Sequence, residues 1–178
     1  MEDKIIEQTA NWIKSVVIGC NFCPFAAKAM MRKSIRYVVL PDTTVENTLA
    51  TLLQEMQHLD GAEDIETTFI IFPNSFTDFT RYLSLVEMAD NLVDEAEYEG
   101  IYQVASFHPD YCFADVEPDD PANFTNKSIY PMLHVLREDS VSDAVDNFPD
   151  AEGIPGRNVA YAREKGLEYM QKLRAICM

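Results

Sequence analysis

The chain has 178 residues, 47% of them hydrophobic, with 30 Asp and Glu against 14 Lys and Arg, a formal charge of −16. That length suits one domain, residues 1–178, with a sizeable core, and that charge repels phosphate backbones and anionic lipid, which excludes nucleic acid and membrane as expected partners. No apolar run approaches the roughly 20 residues of a membrane helix and Met1-Glu2-Asp3-Lys4 is no secretory signal, so the four cysteines read as reduced thiols in a cytoplasm.

Taken in order, Ile6, Ala10, Ile13 and Val17 recur at helical spacing and predict an opening helix over 3–18, ended by Gly19. Gly19-Cys20-Asn21-Phe22-Cys23-Pro24-Phe25-Ala26 is the stretch least like anonymous packing. Pro24 suits the first position of a short helix running to about Arg32, because its missing N–H has no helical partner to lose. Cys23 then falls at the N-cap, its sulfur facing the N–H groups of Phe25 and Ala26, a placement that lowers a thiol pKa. The Cys20/Cys23 pair, a weak signal alone, reads as two small buried residues before it reads as half a zinc site or a redox dithiol.

Strands are predicted over 35–40, 67–72 and 101–107, each rich in β-branched or aromatic residues, with the second apolar enough to be central. Between them, helices run from a capping box at Thr43-Thr44-Val45-Glu46 to Gly61, and from Asp78 to Glu99. This alternation predicts an α/β fold in two or three layers, with a β-α-β-α-β core, an N-terminal helix and C-terminal helices. Strand order and oligomeric state are not legible. His58 is expected at the surface.

His108 ends the third strand, at the edge where open α/β sheets bind ligands, and Cys112 follows four residues on. A polar tract then spans 110–128, long enough to suggest function. Its acidic residues Asp115, Glu117, Asp119 and Asp120 fit no calcium-loop spacing. Residues 130–138 are expected as a helix aligning Tyr130, His134 and Glu138 on one face, with Arg137 adjacent. That face suits metal ligation, anion binding or acid–base work, or is simply solvated. Further helices are expected from Ser140 to about Phe148 and from Ile154 to about Cys177, the last weakened at Gly166.

The motifs Gly19-Cys20-Asn21-Phe22-Cys23-Pro24-Phe25-Ala26, Ala105-Ser106-Phe107-His108-Pro109-Asp110-Tyr111, Pro118-Asp119-Asp120, Asn126-Lys127-Ser128 and Tyr130-Pro131-Met132-Leu133-His134 occur in this order. Together they resemble an uncharacterised family, domain of unknown function number fourteen-fifteen, over nearly the whole chain. The resemblance implies no activity. It implies that Cys23, Pro24, Phe25, His108, Pro109, Tyr111, Asn126, Ser128, Tyr130, Pro131, His134, Arg137 and Glu138 match the family signature. Cys20 and Cys112 depart from it, and Lys127 replaces the usual arginine, turning a bidentate anion contact into a point charge.

The expected function is a small cytoplasmic enzyme acting on a small molecule. Cys23 would serve as nucleophile, His108 as base, with His134 and Glu138 approaching from the helix that follows. Tyr111, Asn126, Lys127, Ser128, Tyr130 and Arg137 would bind substrate. An alternative is a transition-metal site, zinc-like, on Cys23, His108 and His134, with Cys20 or Cys112 optional. A second alternative is an acidic module docking a basic partner.

Overall fold

The apolar segments of the chain are short, and each must bury a face against a neighbour. The computed structural model, which describes residues 1–148 and 150–178, shows how they do so. Among the described residues the chain forms seven α-helices and a four-stranded sheet. Helix α1 (Glu2–Trp12) continues into a π-helical stretch, Ile13–Ile18, and the cysteine turn leads to α2 (Ala26–Arg32). Strand β1 (Ile35–Val39), α3 (Val45–Gly61), β2 (Thr67–Ile71), α4 (Phe79–Glu95) and β3 (Tyr102–Phe107) then alternate as the sequence predicts. Thr44 and Asp78 cap α3 and α4 by accepting from the N–H groups of Asn47 and Arg81.

The segment 130–138 is not a helix. Met132–Arg137 is strand β4, inserted antiparallel between β2 and β3 to give the order β1-β2-β4-β3. The three-residue spacing of Leu133 and Leu136 imitates a helical stripe, but Met132-Leu133-His134-Val135-Leu136 is apolar enough to be buried on both faces, as a central strand must be. β1, β2 and β3 are mutually parallel, since β1 pairs parallel with β2 while β2 and β3 each pair antiparallel with β4.

After β4, α5 (Glu138–Asp146) begins directly, with Glu138 and Asp139 in its favourable acidic first turn. The single long C-terminal helix expected from Ile154 is two: α6 (Ile154–Lys165) and α7 (Leu167–Ala175), broken at Gly166, whose φ of 82° lies outside helical space. The two clusters of buried side chains lie on opposite sheet faces. Leu52, Met56, Tyr82, Leu85 and Ala89 from α3 and α4 cover one with Ile70, Leu133 and Val135. Trp12, Ile13 and Val16, with residues of α6 and α7, cover part of the other with Phe69 and Met132. No described helix is long and apolar enough to cross a membrane.

Candidate functional site

Strand residues of one parity face the incompletely covered side, and there the sheet forms the floor of a cavity of about 880 Å³. Phe69, Phe107, His134 and Leu136 belong to that floor, and its walls come from three helical segments. Trp12 and Val17 contribute from the first, Cys23 to Arg32 from the turn and α2, and Val141, Ala144 and Phe148 from α5 and its end. Neither α2 nor α5 contains a fully buried residue. They meet through the edge-on rings of Phe25 and Phe148, 5.8 Å apart.

His134 is fixed on this floor by its place in the sheet. The register sets it between Phe69 on β2 and Ala105 on β3. Its ring stacks on Phe69 at 3.8 Å between centroids, nearly parallel, and Phe69 stacks in turn on Tyr37. On the other side the small Ala105 leaves space, which is where the cavity opens beside the imidazole. The Thr67 hydroxyl donates to the Val135 carbonyl, so its oxygen accepts from Nε2–H of His134 at 2.6 Å. Nδ1 is thereby the unprotonated nitrogen. Burial drives the imidazole pKa down to about 3, leaving the ring uncharged at neutral pH.

Cys23 reaches the same cavity from a turn with its own local causes. The π-helical stretch ends in a Gly19 N–H to Lys14 carbonyl bond, and a Cβ on Gly19 would collide with the Ser15 carbonyl oxygen. Only glycine fits there. From α6, Arg157 donates to the Asn21 carbonyl and Asn158 to that of Phe22, pinning the turn. Pro24 and Phe25 precede the helix rather than open it, since α2 begins at Ala26. Burial raises the Cys23 thiol pKa, while the N–H groups of Phe25 and Ala26 pull it the other way. Burial wins, so the thiol is protonated at rest; the lowered value expected from a helix N-terminus is not found.

His108, Tyr111, Asn126, Lys127, Ser128 and Tyr130 do not line this cavity. His108 is wholly buried and both ring nitrogens are engaged: Nε2–H donates to the Phe76 carbonyl and Nδ1 accepts from the Asp110 N–H, each at 3.0 Å. Burial lowers its pKa, partly opposed by the Phe76 carbonyl and by Asp110 and Asp78. Its role is to clamp the long loop to the sheet end, where its backbone also pairs beside Lys127. The expected meeting of His108 with Cys23 and His134 therefore does not occur.

The loop 110–128 is an organised strap. Asn123 accepts from the Phe113 N–H and donates to the Glu117 carbonyl, holding a short 3-10 turn, Pro121–Thr125. Asp120 caps that turn and pairs with Arg163 of α6 at 2.8 Å. Asn126 donates to Ser106, Ser128 to Tyr130, and the Tyr130 hydroxyl to Gln8. Lys127 reaches the Pro118 carbonyl, and Tyr111 packs on Phe79. Arg137 lines the cavity, but its guanidinium donates to the carbonyls of Leu59, Ala62 and Ile65 at the end of α3. Glu138 lies at a separate shallow cleft beside β3.

The four cysteines are free thiols; Cys20 is buried, and Cys112 donates to the Val116 carbonyl. Among the described residues, no three His, Cys, Asp or Glu side chains are grouped to hold a metal ion. The metal set of Cys23, His108 and His134, with Cys20 or Cys112, is thus not assembled. Sequence reading missed Thr67, Ala105 and the cavity-facing side of α5. Once β4 is known to be a strand, strand register alone finds the first two.

A family model described as "Protein of unknown function (DUF1415)" matches residues 4–172. Comparison with curated proteins and with solved structures finds no match.

Proposed function

The chain belongs to that family of proteins of unknown function, and from this premise we propose that it binds a small, largely apolar molecule above the sheet, with His134 and Cys23 as polar contacts. The observation that carries this is the cavity itself, about 880 Å³ with an apolar lining and few convergent polar groups. Small-molecule sites have that size and character. Interiors are otherwise close-packed, and on the opposite sheet face α3 and α4 bury Leu52, Met56, Tyr82 and Leu85 against the strands, so a hollow of this size above the sheet is a built feature. An uncharged imidazole with a free Nδ1 and a protonated thiol suit a neutral ligand body better than an ion-pair dyad.

The test is titration with Nile red, an uncharged dye that brightens in apolar surroundings. Saturable one-to-one binding is expected, and Ala105→Phe, which fills the floor beside His134, should abolish it while circular dichroism stays native. Absence of saturable binding, or a signal untouched by Ala105→Phe, overturns the proposal.

A second reading, covalent chemistry at Cys23, is favoured by the place of its thiol on the cavity wall, where the N–H groups of Phe25 and Ala26 partly counter the burial that raises its pKa. N-dodecylmaleimide and N-ethylmaleimide test it. In each addition the S–C bond forms, the C=C bond becomes single, and the thiol proton ends on the neighbouring carbon. Preferential dodecyl labelling of Cys23 over Cys112, mapped by mass spectrometry and lost in Cys23→Ser, supports this reading. Equal rates for the two reagents at Cys23 remove it.

A further inference from the structure

Resting on the binding reading above, we infer that the ligand is an amphipathic carboxylate whose charged end sits against Lys28 and Arg32 at the cavity mouth. These two cations stand four residues apart on α2, on one face of the helix. Both line the cavity, yet both are exposed, which places them at its rim. Like most of the chain's 14 Lys and Arg, neither is in an ion pair among the described residues; what sets these two apart is that they stand together at the cavity mouth.

Charge composition makes the placement informative. The chain carries 30 acidic against 14 basic residues, but the cavity wall holds three cations, Lys28, Arg32 and Arg137, against two carboxylates, Glu66 and Asp143. Arg137 is committed to the end of α3, so the cations left for a ligand are the two on α2. A merely solvated helix face in so acidic a chain would be expected to carry carboxylates. Arg32 offers a planar fork matched to a carboxylate, and Lys28 a point charge beside it. The net charge of −16 opposes every anion and opposes a dianion twice as strongly as a monoanion, which favours carboxylate over phosphate monoester. The apolar walls then take the hydrocarbon body toward Phe107 and His134.

Displacement of Nile red separates this inference from the reading beneath it. The probes are dodecanoate, dodecanol and dodecyl phosphate, each below its micelle concentration, against the wild type and the Lys28→Gln/Arg32→Gln double variant. Dodecanoate should weaken about fivefold in the double variant, as expected for exposed charge pairs, while dodecanol is unaffected. Added salt should weaken dodecanoate in the wild type alone. Dodecanoate binding that ignores the double variant, or dodecyl phosphate binding tighter than dodecanoate, overturns the carboxylate inference and leaves the cavity reading standing. Failure of Nile red itself to bind removes both.

Discussion

The two faces of the sheet share the same four strands and have opposite characters. On one, α3 and α4 each bury a stripe, including Leu52, Met56, Tyr82 and Ala89, against Ile70, Leu133 and Val135. On the other, α2 and α5 bury no residue fully, and Val141, Ala144 and Phe148 line a hollow. Strand alternation sends neighbouring residues to these two fates: Val135 is completely buried while His134 beside it meets the cavity. One face supplies stability and the other leaves room for a ligand.

The sharpest way to break that contrast is truncation on each side. Ile70→Ala, on the filled face, should cost about 2–5 kcal/mol in urea unfolding, the range for a large side chain removed from a closed core. Phe148→Ala, at the half-open cavity wall, should cost only about 1 kcal/mol, chiefly its edge contact with Phe25. Equal losses would mean that the two faces are packed alike.

The same contrast explains what the sequence reveals. The β-α-β-α-β run is legible because Tyr37, Ile70 and Val104 lie in β-branched and aromatic runs ended by Pro41, Pro73 and Pro109. Strand β4 is hidden because its identity comes from two long-range partners, β2 and β3, and no local signal records them. Misreading it placed Tyr130, His134 and Glu138 on one face, when a strand aligns Met132, His134 and Leu136 instead. For Cys23, the turn and the helix that follows are readable, but the side chains that pin the turn, Arg157 and Asn158 of α6, are distant in the chain. His108 looks reactive in sequence because a histidine before a long polar loop is the same string whether it caps or catalyses.

A hydroxyl from the filled face ties two strands together, and its loss should have the next largest effect. Tyr82 is wholly buried; its OH donates to the Met132 carbonyl at 2.6 Å and accepts from the Phe107 N–H at 2.9 Å. It thus bridges β4 and β3 at the last pair of their ladder, Phe107 opposite Met132, next to His108. Tyr82→Phe leaves both backbone groups without that partner and should lower stability by about 1–3 kcal/mol, with hydrogen exchange accelerated at the Phe107 amide. Unchanged exchange there would show that the hydroxyl is dispensable.

The smallest effect, and the one specific to the open face, is a pH dependence. His134 titrates near the ordinary 6.5 in the unfolded chain and is pushed down to about 3 in the folded one. Between those values the unfolded state binds the extra proton, so stability is full above about 6.5 and falls as pH drops toward 3. Carboxylates intrude below about pH 5, which leaves pH 6.5 to 5 as the clean window. Solvent reaching the ring through the cavity reduces the effect, so the wild type should lose about 1 kcal/mol more than His134→Gln between pH 7 and 5. A ligand that fills the space beside Ala105 shields the imidazole further and steepens the slope. Parallel pH profiles for wild type and variant would mean that the ring is as well solvated folded as unfolded, and the cavity floor would then be open water rather than an apolar pocket.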